Sequence, residues 1–190
     1  MKFIEKYNNK KNIRFKLFKK TLEIALNRNF KTIVETGTSR GKEKFLFFKK
    51  YNWKDGMSTL MFSEFAHIIE GELHSCDISV KNINNAKDFT KKYIKNVNFY
   101  IKDSVKFLKE FHKKIDLLYL DSYDGHNSEL ASKHQLNEAM ASIDKLHQNS
   151  LVLLDDKGAK TLYSEDYFIS NNFKVIAESD NQVLFSKISN

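Results

Sequence analysis

Five short strand-like runs alternate with stretches of helical periodicity, and that alternation constrains the chain more than any other feature. The runs are 31–35, 72–77, 97–101, 115–120 and 151–154. The fourth reads IDLLYL, an almost continuous apolar segment of the kind that is buried on both faces of a sheet. Helical patterning covers 12–28, 57–69, 80–95, 104–112, 128–147 and 160–170. Two last runs, 173–177 and 182–186, flank a polar turn and read as a hairpin. Strands separated by helices must pair in parallel through crossover connections. The expected fold is therefore α/β and doubly wound, with a mostly parallel seven-stranded sheet and a C-terminal antiparallel hairpin. No repeat, Gly/Ser linker or low-complexity tract divides the 190 residues, so a single domain spanning 1–190 is expected.

Sheets of this class place ligands beyond the carboxyl ends of their strands. Here those ends carry Glu35, Asp77, Asp103, Asp121 and the pair Asp155-Asp156. A sheet with only a structural role has no reason to collect carboxylates along one edge. After the first strand comes Glu35-Thr-Gly37-Thr-Ser39-Arg-Gly41, whose glycines permit a tight turn and close approach of backbone to a ligand. It lacks the G-x-G-x-x-G spacing of a dinucleotide-phosphate loop. Asp77, in HSCDIS, stands where an acid can accept hydrogen bonds from both ribose hydroxyls of a nucleoside. Lys102-Asp103-Ser104 stands where an adenine amino group could be met. Each acid also has a plain structural reading, since Asp and Ser commonly cap the following helix.

Taken together, residues 30–156 resemble the class I S-adenosylmethionine (SAM)-dependent methyltransferases, which implies a Rossmann-like fold. ETGTSRG resembles that family's Gly-rich first motif, HSCDIS its ribose-binding acid, IKDS its adenine-side loop and DLLYLD its fourth-strand motif. The resemblance implies a SAM site formed by Glu35, Gly37, Thr38, Ser39, Gly41, Ser58, Asp77, Ile78, Asp103, Ser104 and Asp121. More narrowly, Gly56-Met-Ser58-Thr59 is similar to the helix start that follows the Gly-rich motif in small O-methyltransferases. The chain departs from them in an insert at 42–55, basic and aromatic, which separates the two halves and is a candidate lid or pocket wall.

Asp121, Asp155 and Asp156 end neighbouring strands, so their carboxylates are expected to meet. Packed carboxylates repel unless protonated or bridged by a cation, and hard oxygen ligands suit Mg²⁺. Catechol-type and antibiotic-tailoring O-methyltransferases hold a divalent metal at matching positions, so the resemblance implies a metal site there. A cation would lower the pKa of an acceptor hydroxyl. Asp121, His126 and His134 are the candidate catalytic residues, either histidine being a possible general base.

The net charge of +8 is concentrated at the start: residues 1–20 carry eight Lys or Arg against one acid, Glu5. These residues read as a basic helical extension over 1–28, either a solvated face or a nucleic-acid-binding arm. The expected acceptor is a small molecule or sugar. The rival is RNA or DNA, held by that arm and by Phe45, Phe47, Phe48, Tyr51 and Trp53 of the insert. Against that rival, no N/D-P-P-Y/F motif follows the fourth strand and the chain has no proline. A further alternative is a non-catalytic binding protein on the same fold. The lone Cys76, the absence of an apolar run of membrane-spanning length and the lack of a secretory leader favour the cytoplasm and no membrane partner. The basic helix and the hairpin are candidate homodimer faces.

Overall fold

The computed structural model describes residues 2–45, 48–53 and 56–188. After a 3₁₀ turn (Lys2–Tyr7) the elements are α1 (Phe15–Asn27), β1 (Thr32–Thr36), β2 (Lys42–Phe45), β3 (Phe48–Tyr51), α2 (Ser58–Ile68), β4 (Glu72–Asp77) and α3 (Val80–Phe89). They continue with β5 (Val97–Ile101), α4 (Ser104–Glu110), β6 (Ile115–Leu120), α5 (Ser128–Ser142), β7 (Leu146–Asp155), α6 (Ser164–Ser170), β8 (Phe173–Glu178) and β9 (Gln182–Lys187). The main sheet has seven strands in the order β5-β4-β1-β6-β7-β9-β8. β9 runs antiparallel to both its neighbours, and the pairs from β5 through β7 are all parallel. The chain begins at β1, steps outward to β4 and β5, then returns to β6. The switch in strand order therefore lies between β1 and β6, where a ligand crevice is expected.

β6 from Leu117 to Leu120 and β7 from Leu151 to Leu154 are apolar at every position because both faces are covered. Successive residues alternate sides. Leu117, Tyr119, Leu151 and Leu153 join Phe18, Leu22, Met61, Phe62 and Phe65 of α1 and α2 in one core. Leu118, Leu120, Val152 and Leu154 join Phe107, Phe168 and Phe185 in the other. Each such side chain contributes about 1.5–3 kcal/mol by leaving water. A one-residue slip of β6 would exchange the two sets, so packing fixes the register that aligns the carboxyl ends.

The structure departs from the sequence reading at several boundaries. The helix expected over 128–147 stops at Ser142, because His147 bonds Asp116 (2.8 Å) and Ser150 (2.8 Å) and that stretch joins β7. The helix expected over 80–95 is α3 followed by a 3₁₀ turn (Lys91–Asn96), and the one expected over 160–170 begins only at Ser164. The insert, which fits neither period, is the two-stranded antiparallel pair β2–β3. Its Phe47 and Asp55 lie outside the described residues. Residues 2–28 pack into the molecule: Ile4 and Tyr7 are buried, Tyr7 Oη donates to Glu64 (2.8 Å), and Lys6 pairs with the same carboxylate. Among the described residues, no helix is long and apolar enough to cross a membrane.

Candidate functional site

The loop after β1 is pinned across the sheet. Gly37 N–H donates to the Cys76 carbonyl (2.9 Å) and Asp121 N–H to the Thr36 carbonyl (2.9 Å). Gly37 has φ +84°, and a Cβ there would stand 2.1 Å from the Asp121 carbonyl oxygen, so the position requires glycine. Two reciprocal hydrogen bonds stitch this loop to the start of α2: Ser39 N–H to Thr59 Oγ1 (2.8 Å) and Thr59 N–H to Ser39 Oγ (2.9 Å). Asn52 N–H to the Gly41 carbonyl (2.8 Å) closes the base of the insert. The two halves of the Gly-rich region thus meet in space despite the insert.

Glu35 was expected to face the cofactor, but it is fully buried beneath this junction. It accepts from Ser58 Oγ (2.5 Å), Thr59 Oγ1 (2.8 Å) and Ser75 Oγ (2.7 Å). Burial pushes its pKa up to about 7, with the three hydroxyls pulling the other way. Glu35 and Ser58 lock the loop to β4 and α2 and line neither lobe of the cavity described next. Gly41 also lies away from it, against the ring of Phe89.

A cavity of 310 Å³ opens at the carboxyl edge, bounded by Gly37–Ser39, Asp77, Ile78, Asp121, Asp156, Arg14 and Lys160 among others. A second lobe of 240 Å³ shares Gly37, Asp77 and Ile78 and runs to Asp103, Ser104, Tyr123 and His134. Asp77 marks the junction. Its carboxylate accepts from Thr38 N–H (3.2 Å), Ser79 N–H (2.7 Å) and Asn82 Nδ2 (3.0 Å), which fixes its plane. A carboxylate has about four acceptor sites, so one remains for a ligand, and a ligand diol would have to displace or share with Asn82 for a second. In the second lobe Asp103 caps α4 through Lys106 N–H (2.9 Å). His134 Nε2 lies 2.9 Å from Ser104 Oγ and 3.8 Å from the buried Glu138 carboxylate, whose pKa burial raises.

The three remaining acids do come together: Asp121, Asp155 and Asp156 each offer an oxygen within 4.8 Å of the others. Two cations are interleaved with them. Arg14, at the start of α1, donates from Nε to both Asp155 oxygens (2.8 and 2.7 Å) and from Nη2 to Asp156 Oδ1 (2.7 Å). Lys160, one turn beyond Asp156, reaches Asp121 Oδ1 (2.7 Å) and Asp156 Oδ2 (2.9 Å). Tyr119 Oη donates to the last oxygen, Asp121 Oδ2 (3.3 Å). Burial disfavours the charge on Lys160, but Asp121 and Asp156 outweigh it and hold the ammonium well above its ordinary pKa. Burial and Asp121 push the Asp155 carboxyl upward, with Arg14 opposing them.

The expected metal fits this donor set poorly. Each of the six carboxylate oxygens accepts an N–H or O–H, and although lone pairs remain, Arg14 and Lys160 stand among them with the charge that one divalent ion would bring. The histidines expected beside Asp121 are elsewhere: His126 is exposed on the β6–α5 loop and lines neither lobe, while His134 belongs to the Asp103 lobe. Arg14, Lys160, Asn82 and Glu138 escaped the sequence reading. Lys160 carried a faint signal, four residues after Asp156; Arg14 carried none, hidden in a run of basic residues. A 710 Å³ depression between α4 and α5 lies away from the sheet edge and gathers no reactive cluster.

A family model described as a methyltransferase domain matches residues 53–157. The SAH-bound Podospora anserina methyltransferase PaMTH1 is similar in structure, with a TM-score of 0.63 and 16% identity over 88% of this chain and 76% of that one. The N-methyltransferase NodS from Bradyrhizobium japonicum gives 0.60 and 11% over 93% and 97%. An rRNA methylase from Streptococcus thermophilus gives 0.60 and 8% over 89% and 95%. At such identities these likenesses show the shared fold. No curated protein matches the sequence.

Proposed function

The chain belongs to the methyltransferase-domain family, and from that premise we propose that it binds SAM across the two-lobed cavity and methylates a hydroxyl of a small polar molecule or sugar. The observation that carries this reading is Asp77, held by Thr38, Ser79 and Asn82 at the junction of the lobes, beside a loop whose Gly37 leaves no room for a side chain. The adenosine would lie over Ile78 toward Asp103 and Ser104, with its ribose on Asp77. The methionine end would pass Gly37–Ser39 toward Asp121. When bound, SAM supplies an electrophilic methyl group: the acceptor oxygen bonds to it as the C–S bond breaks and its electrons return to sulfur.

The 310 Å³ lobe, which would take the methionine end and the acceptor, is lined by polar and charged side chains, with Ile78 the single apolar one. Such a wall suits a hydroxylated acceptor better than an aromatic one. Asp121, partly exposed in the lobe, is the carboxylate that would take the acceptor proton. Lys160, held charged by two acids, cannot serve as that base. The rival nucleic-acid acceptor rests on the exposed Lys2, Lys10, Lys11, Lys16 and Lys20.

The test is transfer of labelled methyl from SAM to a panel of sugars, polyols, catechols and RNA. Label on a sugar or polyol that Asp121→Asn abolishes is the expected result. Label on RNA with steep salt dependence would replace this acceptor class with the rival.

A further inference from the structure

We propose that Lys160 and Arg14 are resident cations that take the place of a divalent metal, so that methyl transfer by this chain is metal-independent. The functional half of this inference rests on the methyl-transfer reading; the chemical half rests on side-chain geometry alone.

Three carboxylates at neighbouring strand ends demand positive charge. The chain supplies it from two distant places. Arg14 comes from the start of α1, 141 residues before Asp155, with its side chain only 13% exposed. Lys160 comes from the turn after β7, where Lys160 N–H bonds the Asp156 carbonyl (2.9 Å) and the side chain is 5% exposed. Both heads are therefore removed from water and bound at two acids each. Magnesium requires near-octahedral oxygen ligation at about 2.0–2.1 Å and sheds its water reluctantly. To bind here it would have to expel the Lys160 ammonium from between Asp121 and Asp156 and strip that charge of both its partners. Expulsion of a buried charge from its partners is strongly unfavourable.

The same placement gives Lys160 a role. Its ammonium lines the polar lobe beside Asp121, where the acceptor oxygen must sit for Asp121 to take its proton. A fixed positive charge there stabilises the negative charge that grows on that oxygen as the proton leaves. The family match ends at residue 157, so neither Arg14 nor Lys160 lies within it.

The test is calorimetric and thermal titration of chelator-treated wild-type protein with Mg²⁺ and Mn²⁺, with S-adenosylhomocysteine (SAH) titrated into the same preparations. The wild type is expected to give no saturable metal heat, no Tm shift, and one SAH affinity in chelator and in Mg²⁺. Lys160→Gln frees Asp121 Oδ1 and Asp156 Oδ2; it should gain Mn²⁺ binding and a Tm rise of about 5 °C at saturation. Should that variant not fold, Lys160→Arg keeps the charge and is expected to fold and stay blind to metal. Stoichiometric Mg²⁺ or Mn²⁺ binding to the wild type, removed by Asp155→Asn, would overturn the proposal. Absent SAH binding with no metal heat would instead count against the methyl-transfer reading alone.

Discussion

The two lobes of the cavity pair their acids in opposite ways. Asp77 and Asp103 are held by neutral donors, the backbone N–H groups of Thr38, Ser79 and Lys106 and the side-chain amide of Asn82, all but Thr38 within five residues in sequence. Asp121, Asp155 and Asp156 are held by cationic side chains, one of them from the far end of the chain. An acid anchored by its own loop keeps lone pairs aimed at the cavity and can receive a neutral polar ligand. An acid bound to a buried cation forms part of a charge-paired wall that fixes how developing charge is met. In the proposed function, one lobe recognises the cofactor and the other polarises the acceptor.

Breaking the second lobe should have the largest effect. Arg14→Ala leaves Asp155 buried without its partner and is expected to cost about 3–5 kcal/mol of stability, measured by urea unfolding. A loss below about 1 kcal/mol would mean that the cations are not structural. Gly37→Ala strikes the seam between the lobes. A Cβ 2.1 Å from a carbonyl, at φ +84°, should cost about 2–3 kcal/mol and remove SAH binding. Asp77→Ala breaks the recognition lobe. It should weaken SAH by about 2–4 kcal/mol, roughly 30- to 1,000-fold in Kd, with little change in Tm.

Glu35, beneath both lobes, sharpens the comparison through pH. Its folded pKa of about 7 stands above the ordinary 4.5, so the folded state holds a proton that the unfolded chain releases between those values. Stability should therefore be greatest below about pH 4.5 as far as this group is concerned, and fall by at most about 3 kcal/mol as pH rises to 7. Asp155, raised by burial, acts in the same direction. Glu35→Gln should flatten that slope in pH-dependent unfolding. The smallest effect belongs to His126→Ala, expected to change stability and kcat by less than about 0.5 kcal/mol, since the residue is exposed and borders neither lobe.

The same contrast explains what the sequence disclosed. The sheet was legible because IDLLYL and the other runs carry their burial in their own composition. The recognition lobe was legible because Asp77 and Asp103 sit at strand ends with their partners close by. The clustering of Asp121, Asp155 and Asp156 also followed from strand adjacency. What cancels their charge did not, because no local pattern ties Arg14 to Asp155. Glu35 was misplaced for a related reason: its position at a strand end suggested the cavity, whereas Ser58, Thr59 and Ser75 converge on it from two other elements. His134 was drawn toward Asp121 by proximity in sequence, yet the α5 helix carries it to Ser104. The insert showed neither period because its two strands are four residues each, too short to display one.

Calorimetric titration of SAH into wild type and Asp77→Ala, both in chelator, decides whether this sheet edge is a cofactor site. Saturable one-to-one binding to the wild type without any divalent ion, and its loss in the variant, is the expected result. Absence of wild-type binding, or equal binding by both proteins, would contradict it.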